Sequence, residues 1–365
     1  MSRRVVVAAV AGVALVVLVA AGAGFGGYQL GLRDGRLATK TASSSPSPLA
    51  TIAPTSRPLA TPSPSPGVFP AVTAVHNAVV DALSCKLPVY LPGQHTSGGF
   101  ISFPDGAVTP DRSSDVGAPG SSMGGGDAGD WFGLTYVKAV NRWVPVPYTW
   151  VQPDGAIYAY AMDHNRHAGA NPLVLVNART STDALLANRD PSGGGWQVIS
   201  VTSTSIYAVS ISGQGISIVP LSGPSAPDYI SDGYWTAASG FYAYGTALPD
   251  GGAIVRLDGR NNQRTPWFNK SSTADVIGFD GAGSPVIWTG TDLWIASAPD
   301  VATRIGSVAP LPWPRSSEQP VRGALAPVSD SHGMWFSTTD GIYLFAGGKT
   351  TKVSNLVAEV AGTCS

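Results

Sequence analysis

One short pattern recurs along the chain: a small residue followed by a run of aromatic and β-branched residues. It reads GGFIS from Gly98, AIYAY from Ala156, SIYAV from Ser205, GFYAY from Gly240, SPVIW from Ser284 and GMWFS from Gly333. The last four steps between these segments are 49, 35, 44 and 49 residues. A period of roughly 40–50 residues marks repeated supersecondary units, and no such unit can bury its apolar face alone. Each copy needs a neighbour, so the units must stack or close on themselves.

The surroundings of each segment agree. Turn sequences precede several of them: WVQPDG before Ala156, VIGFDGAG before Ser284 and APVSDSHG before Gly333. Asp-Gly recurs at Asp105, Asp154, Asp232, Asp250, Asp258, Asp280 and Asp340. It is a preferred pair for tight hairpins, whose central residues need positive φ. A further strand follows each segment: PLVLVNA from Pro172, GISIVPLS from Gly215, AIVRLDG from Ala253, DLWIASA from Asp292 and GIYLFAG from Gly341. A more polar fourth strand then closes each unit, as TDALLAN, APDYIS, RTPWFN, ATRIGS and KTTKVS. Apolar inner strands with polar outer ones suit a radial ring of four-stranded sheets. The composition points the same way. The chain has 44 Gly, 30 Pro and only 12% charged residues, with two Glu (Glu318 and Glu359) among 23 acidic residues. Asp favours turns, whereas Glu favours helix interiors. The expected fold is an all-β propeller. Six blades are preferred and seven are the alternative, because residues 85–146 could hide another hairpin.

The repeats resemble β-propellers of the TolB-like and two-component-regulator types. GMWFSTTDGIYLF, residues 333–345, is similar to the regulator-type hairpin, and WVQPDGAIYAYAM, from Trp150 to Met162, resembles a TolB-like Pro-Asp-Gly hairpin. The resemblance covers about 280 residues, and each repeat alone is of low specificity. Neither a Trp-Asp dipeptide nor a Gly-His signature is present, so a strict WD40 assignment is not supported. The chain also resembles membrane-anchored bacterial envelope propellers without assigned activity.

Its two cysteines, Cys85 and Cys364, stand at the two ends of the repeat region. In an oxidising compartment they are expected to pair. That places both ends of a long all-β region side by side, which a ring requires and an open sandwich does not. The first blade then needs strands from both ends. GGFISFPDG, LTYVKAV and RWVPVP, between Gly98 and Pro147, would supply part of it, and VAEVAG, Val357 to Gly362, its innermost strand.

The N-terminus sets the compartment. Arg3 and Arg4 precede an apolar run from Val5 to Ala23. At about 1.5 Å per residue such a helix spans roughly the 30 Å hydrocarbon layer of a bilayer. Positive charge before the run predicts that end in the cytoplasm and the remainder outside. Cleavage near Ala21-Gly22-Ala23 is the alternative, and it would make the protein secreted. Residues 1–30 are thus expected to be a cytoplasmic stub and transmembrane signal anchor. Residues 31–70 are expected to be a disordered Pro/Ser/Thr-rich linker. Residues 71–365 are expected to be an extracytoplasmic propeller domain at the cell membrane.

Few of these residues form a recognisable chemical motif. No sialidase Asp box occurs, and no Gly-x-Ser-x-Gly elbow in a strand–helix setting. GSSMGGGDAGD, residues 120–130, lacks the Lys-Ser/Thr of a phosphate loop and reads as a surface insertion. Asp163, His164 and His167 are close enough in sequence to share a ligand or a zinc ion, and are weak candidates beside the reading as an ordinary polar loop. His332 reads as a turn residue. Paired carboxylates for glycoside hydrolysis would have to come from turn aspartates such as Asp154, Asp232, Asp280 and Asp330, while Asp105, Asp154 and Asp280 can instead cap their own turns. Trp150, Trp196, Trp235, Trp288, Trp294 and Trp335 suit packing between blades. Trp143, Trp267 and Trp313 lie nearer outer strands or loops, where sugar stacking is conceivable. With a net charge of −1, no nucleic-acid partner is expected. No cofactor and no metal is expected. The leading expectation is a non-enzymatic module binding a protein or glycan at the bacterial envelope. The alternative is an anchored or secreted hydrolase or lyase acting on glycans or peptides.

Overall fold

A computed structural model describes residues 69–91, 98–116, 133–161, 173–187, 196–210, 214–222, 228–230, 232–246, 253–307 and 326–365. The expected anchor and all but the last two residues of the expected linker lie outside them. Among the described residues no helix is long and apolar enough to cross a membrane.

The chain forms a six-bladed β-propeller. Strands β1 (Lys86–Tyr90), β2 (Gly98–Ser102) and β3 (Ala107–Pro110) begin the first blade. A separate hairpin follows, β4 (Thr135–Val137) with β5 (Arg142–Val144). Blade 2 holds β6 (Ile157–Ala161), β7 (Leu173–Asn177) and β8 (Asp183–Ala187), with Val151 bridging to Tyr158 on its inner side. Blade 3 is β9 (Trp196–Val201), β10 (Ser205–Ser210), β11 (Ile216–Pro220) and β12 (Asp228–Ile230). Blade 4 is β13 (Tyr234–Ser239), β14 (Tyr242–Thr246), β15 (Ile254–Asp258) and β16 (Gln263–Phe268). Blade 5 is β17 (Asp275–Phe279), β18 (Pro285–Trp288), β19 (Leu293–Ala298) and β20 (Val301–Gly306). Blade 6 is β21 (Val328–Asp330), β22 (Gly333–Thr338), β23 (Gly341–Ala346) and β24 (Lys349–Ser354). Finally β25 (Glu359–Val360) returns to blade 1 as its innermost strand, giving the order β25-β1-β2-β3.

The recurring segment is the second strand from the centre in blades 2 to 6, counting the Val151 bridge as the first in blade 2. Blade 1 departs. There GGFIS is the third strand, because KLPVY at 86–90 takes the second place. LTYVKAV and RWVPVP contribute β4 and β5, which pair with each other and not with β1–β3. Residues 85–146 do hide a hairpin, but it does not form a seventh blade.

Pro88 explains part of this arrangement. It lies opposite Ala361, whose N–H donates to the Pro88 carbonyl at 2.8 Å. Proline has no N–H to return the bond. The Ala361 carbonyl accepts instead from the Tyr136 N–H of β4 at 2.8 Å, so the tail is held between β1 and the hairpin. Lys86 and Ser365 then exchange both backbone hydrogen bonds, at 2.8 and 3.1 Å.

Apolar packing lies between blades, not at the ring's centre. Val328, Trp335 and Ile342 of blade 6 pack with Leu87, Ile101 and Val360 of blade 1. Blades 2 and 3 share Leu173, Val174, Ile206 and Ala208. Blades 3 and 4 share Ile199, Tyr207 and Trp235. Blades 4 and 5 meet at Tyr244, Phe268 and Ile287, and blades 5 and 6 at Val286, Met334 and Phe336. The hairpin supplies Trp143 against Leu134 and Ala361 beside blade 1. The packed region starts by Phe69, which is buried in the core shared by blades 1 and 6. Asn77 caps the short helix α1 (Ala78–Asp81) by accepting from the Val79 and Val80 N–H groups at 3.0 Å each. Val80 is then fully buried against the same core.

Of the six described Asp-Gly pairs, four carry the expected positive-φ glycine, at Gly106, Gly155, Gly233 and Gly341. Gly341 is also sterically obligatory: a Cβ there would lie 2.1 Å from the Ser354 carbonyl oxygen. Gly259 and Gly281 have no positive φ, and the Asp280 turn uses Gly283 instead.

Cys85 and Cys364 form a disulfide, with Cα atoms 5.6 Å apart across 279 residues of sequence. Replacing both by Ser is expected to lower the unfolding free energy by about 2–5 kcal/mol and leave the ring assembled. Deleting residues 357–365 also removes the inner strand and is expected to abolish folding. Chemical denaturation of the two variants beside the parent checks this. Equal midpoints for all three would show that the tail does not close the ring.

Candidate functional site

The inner strands leave a cavity of about 830 Å³ at one end of the ring. Its wall is assembled from many short pieces. Blade 2 supplies Val151 to Gly155, the ends of β9 and β13 supply Ser200 to Ser203 and Ala238 to Gly240, and blade 5 supplies Phe279 to Gly281. Blade 6 adds Ser329, the hairpin adds Thr135 to Ala139, and the tail adds Thr363. The hairpin fits tightly into this wall: a Cβ at Gly155 would meet Val137 Cγ1 at 2.6 Å.

Hydroxyl groups dominate the polar lining. Three of them hold the wall together. Thr135 Oγ1 donates to the Val146 carbonyl at 2.7 Å, Ser200 Oγ to the Ala238 carbonyl at 2.7 Å, and Thr202 Oγ1 to the Ser205 carbonyl at 3.0 Å. The Ser200 bond ties blade 3 to blade 4. Thr149 Oγ1 and Ser329 Oγ are shielded from solvent and have no hydrogen-bond partner among the described residues. Tyr148 also lines the cavity, and burial, assisted by the Asp330 charge, pushes its hydroxyl above the usual range.

Among the described residues that line the cavity three are charged: Lys138, Asp154 and Asp280. Both aspartates serve their own turns. Asp154 Oδ1 accepts from Ala156 N–H at 2.9 Å, and Asp280 Oδ1 from Ala282 and Ser284 N–H at 3.0 and 2.7 Å. Asp105 does the same for Ala107 at 3.4 Å.

The other sequence candidates are dispersed. Asp232 forms an ion pair with Arg264, whose hydrogen bonds hold its carboxyl below the usual range. Asp330 Oδ2 accepts from Trp335 Nε1 and from the Cys364 N–H, each at 2.8 Å, so it fastens blade 6 to the tail. His332 sits in that turn, 3.3 Å from Asp330 Oδ1. Trp143 and Trp267 are not stacking platforms. Both are buried, and their ring N–H groups donate to Asp111 Oδ2 at 2.9 Å and to the Ala296 carbonyl at 3.1 Å. Of the Trp residues assigned to blade packing, Trp150, Trp196, Trp235 and Trp335 are buried, while Trp288 and Trp294 are only partly so. Asp163, His164 and His167, the 120–130 insertion and Trp313 all lie outside the described residues. Among the described residues, no three His, Cys, Asp or Glu side chains gather to hold a metal.

One group was missed by motif reasoning. Glu359 on β25 is only 2% exposed, and the hydroxyl of its cross-strand partner Tyr90 donates to Oε2. Burial pushes Glu359 up to about 8, with the Tyr90 hydrogen bond acting in the opposite direction. Burial followed by the Glu359 charge raises Tyr90 as well. The only visible signal was the rarity of Glu in the chain and its place inside VAEVAG.

No family profile matches the chain, and no curated protein matches it. Several solved structures align with part of the chain. TolB from Acinetobacter baumannii aligns at 13% identity over 76% of this chain, with a TM-score of 0.44. The chain spans 66% of that TolB structure, slightly under two thirds of its length. A candidate 6-phosphogluconolactonase from Bacteroides uniformis aligns at 10% identity over 77% of this chain and 98% of its own, with a TM-score of 0.38. The extracellular domain of a candidate hybrid two-component system from B. thetaiotaomicron aligns at 10% identity, covering 80% of this chain and 41% of its own, with a TM-score of 0.29.

Glu359 predicts a pH dependence. Its pKa in the folded ring, about 8, exceeds the ordinary 4.5, so folding takes up a proton between those values. The contribution to stability is complete below about pH 4.5 and is lost as pH rises through about 8. The full loss is on the order of 4–5 kcal/mol. Glu359→Gln is expected to remove this component, leaving the variant more stable than the parent at pH 8 and nearer to it at pH 5. Denaturant midpoints at pH 5, 6.5 and 8 provide the comparison, and parallel pH profiles would show that Glu359 stays ionised in the ring.

Proposed function

We propose that this chain is a non-enzymatic, extracytoplasmic binding module of the bacterial cell envelope. Residues 1–30 hold it in the membrane by a single span, residues 31–70 stand it off the surface, and the propeller presents its central cavity to a ligand. The observation that carries the reading is the chemistry of that cavity. Acid–base catalysis needs a group within reach of the reacting atoms and poised to exchange a proton. The cavity's two carboxylates are engaged by their own turns, and its remaining polar groups are mostly hydroxyls. The size falls within the range of about 300–1,000 Å³ usual for small-ligand sites. The disulfide supports the compartment, since such bonds persist in oxidising environments.

Two measurements test this. Fractionation of cells expressing the full chain is expected to leave it in the membrane, with the propeller digestible from outside and no free thiol after alkylation without reductant. A protein protected inside the cell, or one with two reactive thiols, would overturn the location. Incubation with glycan and peptide panels is expected to release no product. Turnover that disappears in Asp154→Asn or Asp280→Asn would establish the hydrolase or lyase alternative instead.

A further inference from the structure

The geometry points to Glu359 as a proton-operated latch on the cavity wall: its ionisation lifts the tail strand β25 from the hairpin β4–β5, while the disulfide keeps the end of the tail attached. The latch acts on the wall itself, whether or not the cavity takes a ligand.

Glu359 sits where closure and cavity meet. Its strand is short and pairs with β1 only through Val89 and Tyr90. The carboxyl is 2% exposed, and the Tyr90 hydroxyl is its hydrogen-bond donor among the described residues. That hydroxyl also reaches the root of the hairpin, since a Cβ at Gly133 would lie 3.3 Å from it. Further along the tail, the Ala361 carbonyl accepts from the Tyr136 N–H of β4 at 2.8 Å, and Ala361 packs with Leu134 and Trp143. A Cβ at Gly362 would meet the Tyr136 carbonyl oxygen at 2.8 Å. The tail thus lies directly against β4, whose Thr135, Tyr136 and Val137 line the cavity.

Among the described residues no cation is placed to hold this carboxylate. On β1 the charged group is Lys86, at the far end of the strand beside Ser365. On β22, whose Ser337 Oγ accepts from the Val360 N–H at 2.9 Å, no residue titrates. On the hairpin, the Tyr136 hydroxyl is turned to Asn141, and Lys138 and Arg142 are exposed. Burial, followed by the Glu359 charge, raises Tyr90 and keeps it neutral. An ionised Glu359 therefore has to reach water, because a buried unpaired charge is costly.

The least costly route to water is local. Segments with few ties open more readily than the whole fold, and β25 has two residue pairs where the inner joints of blades 3 to 6 have three to five. Cys364, five residues beyond Glu359, stays bonded to Cys85, so the strand can lift without freeing the end of the tail. Burial pushes Glu359 up to about 8 in the closed ring, against an ordinary 4.5. Between those values each opening releases a proton. The open fraction then grows about tenfold per pH unit and levels off above about pH 8. Lifting the tail leaves the Tyr136 N–H unpaired and uncovers Leu134 and Trp143. The wall is therefore firm in acid and loosens as the medium turns alkaline.

The test is hydrogen exchange read by mass spectrometry on the full-length chain in detergent, with the disulfide intact. It is run at pH 5.5, 6.5, 7.5 and 8.5, with each rate corrected for the intrinsic rate at that pH. Peptides covering residues 133–140 and 356–363 are expected to exchange sooner than those of β10 and β14. Their opening is expected to rise about tenfold per pH unit and to level off near pH 8. Glu359→Gln, which cannot ionise, is expected to lose this slope in both peptides. Tyr90→Phe removes the hydrogen bond that favours the ionised carboxyl, so it is expected to move the levelling-off above pH 8, and it serves as the second readout should Glu359→Gln not fold. Tail and hairpin peptides that exchange no sooner than β10 and β14 would show that Glu359 acts only on the whole fold, and would overturn the latch. A pH slope confined to the tail would overturn its reach to the cavity wall. A slope that survives in Glu359→Gln, or a levelling-off unmoved in Tyr90→Phe, would overturn Glu359 as the group responsible.

Discussion

A ring of sheets buries each blade's two faces against its neighbours, and one joint decides whether that arrangement exists at all. Here the joint is the return of the tail to blade 1. An open ring would expose the Trp335 and Leu87 layers together with unpaired strand edges, which invite association with other chains. The tail prevents this with several interactions at once. β25 pairs with β1, Ser365 exchanges bonds with Lys86, and Cys364 is bonded to Cys85. Asp330 ties the Cys364 backbone to the Trp335 ring of blade 6. The tail also brings Glu359 into the interior, so the element that completes the fold carries its least favourable ionisable group. That group is tolerated because it can stay protonated beside the Tyr90 hydroxyl.

Much of this architecture was legible because strand propensity, turn chemistry and period all point the same way in blades 2 to 6. The second, third and fourth strands there coincide with the apolar runs and the polar closing runs read from the residues. The tail strand was legible too, since VAEVAG stands beside a cysteine with a distant partner. Blade 1 was misread for a physical reason. KLPVY contains Pro88, which argues against a strand with neighbours on both sides. The structure accommodates it by passing the Ala361 carbonyl to Tyr136. That bond joins residues more than two hundred positions apart, and no local pattern shows it. The same holds for LTYVKAV and RWVPVP. Their alternation specifies strands, but only long-range pairing decides between a blade and an inserted hairpin.

The site was less legible, and its chemistry explains why. Turn aspartates were correctly expected to serve their own loops at Asp105, Asp154 and Asp280. Trp143 and Trp267 were placed too near the surface. Their ring N–H groups find acceptors inside, at Asp111 and Ala296, so both can be buried. The cavity's hydroxyls left no trace in the reading, because Ser and Thr are plentiful throughout the chain. What distinguishes Thr149 and Ser329 from the others is a missing partner, and that is a property of three-dimensional surroundings. Ser200 and Thr202 occupy the same wall and do have partners, so residue type alone would have ranked all four alike.

Closure and cavity are not independent, because the tail contributes to both. Thr363 lines the cavity, and its neighbour Cys364 is fixed by the disulfide and by Asp330. The hairpin that forms another part of the wall is hydrogen-bonded to Ala361 on the same tail. A ligand touching this side of the cavity therefore finds its full complement of contacts only when the ring is shut. By mass action, whatever binds the closed state and not the open one stabilises closure, by about 2.7 kcal/mol at a hundredfold excess over its dissociation constant. That is comparable with what a disulfide closing a long loop contributes. Occupancy of the cavity and the covalent clamp thus act on the same equilibrium, and a reduced but liganded ring can match the stability of an oxidised, empty one.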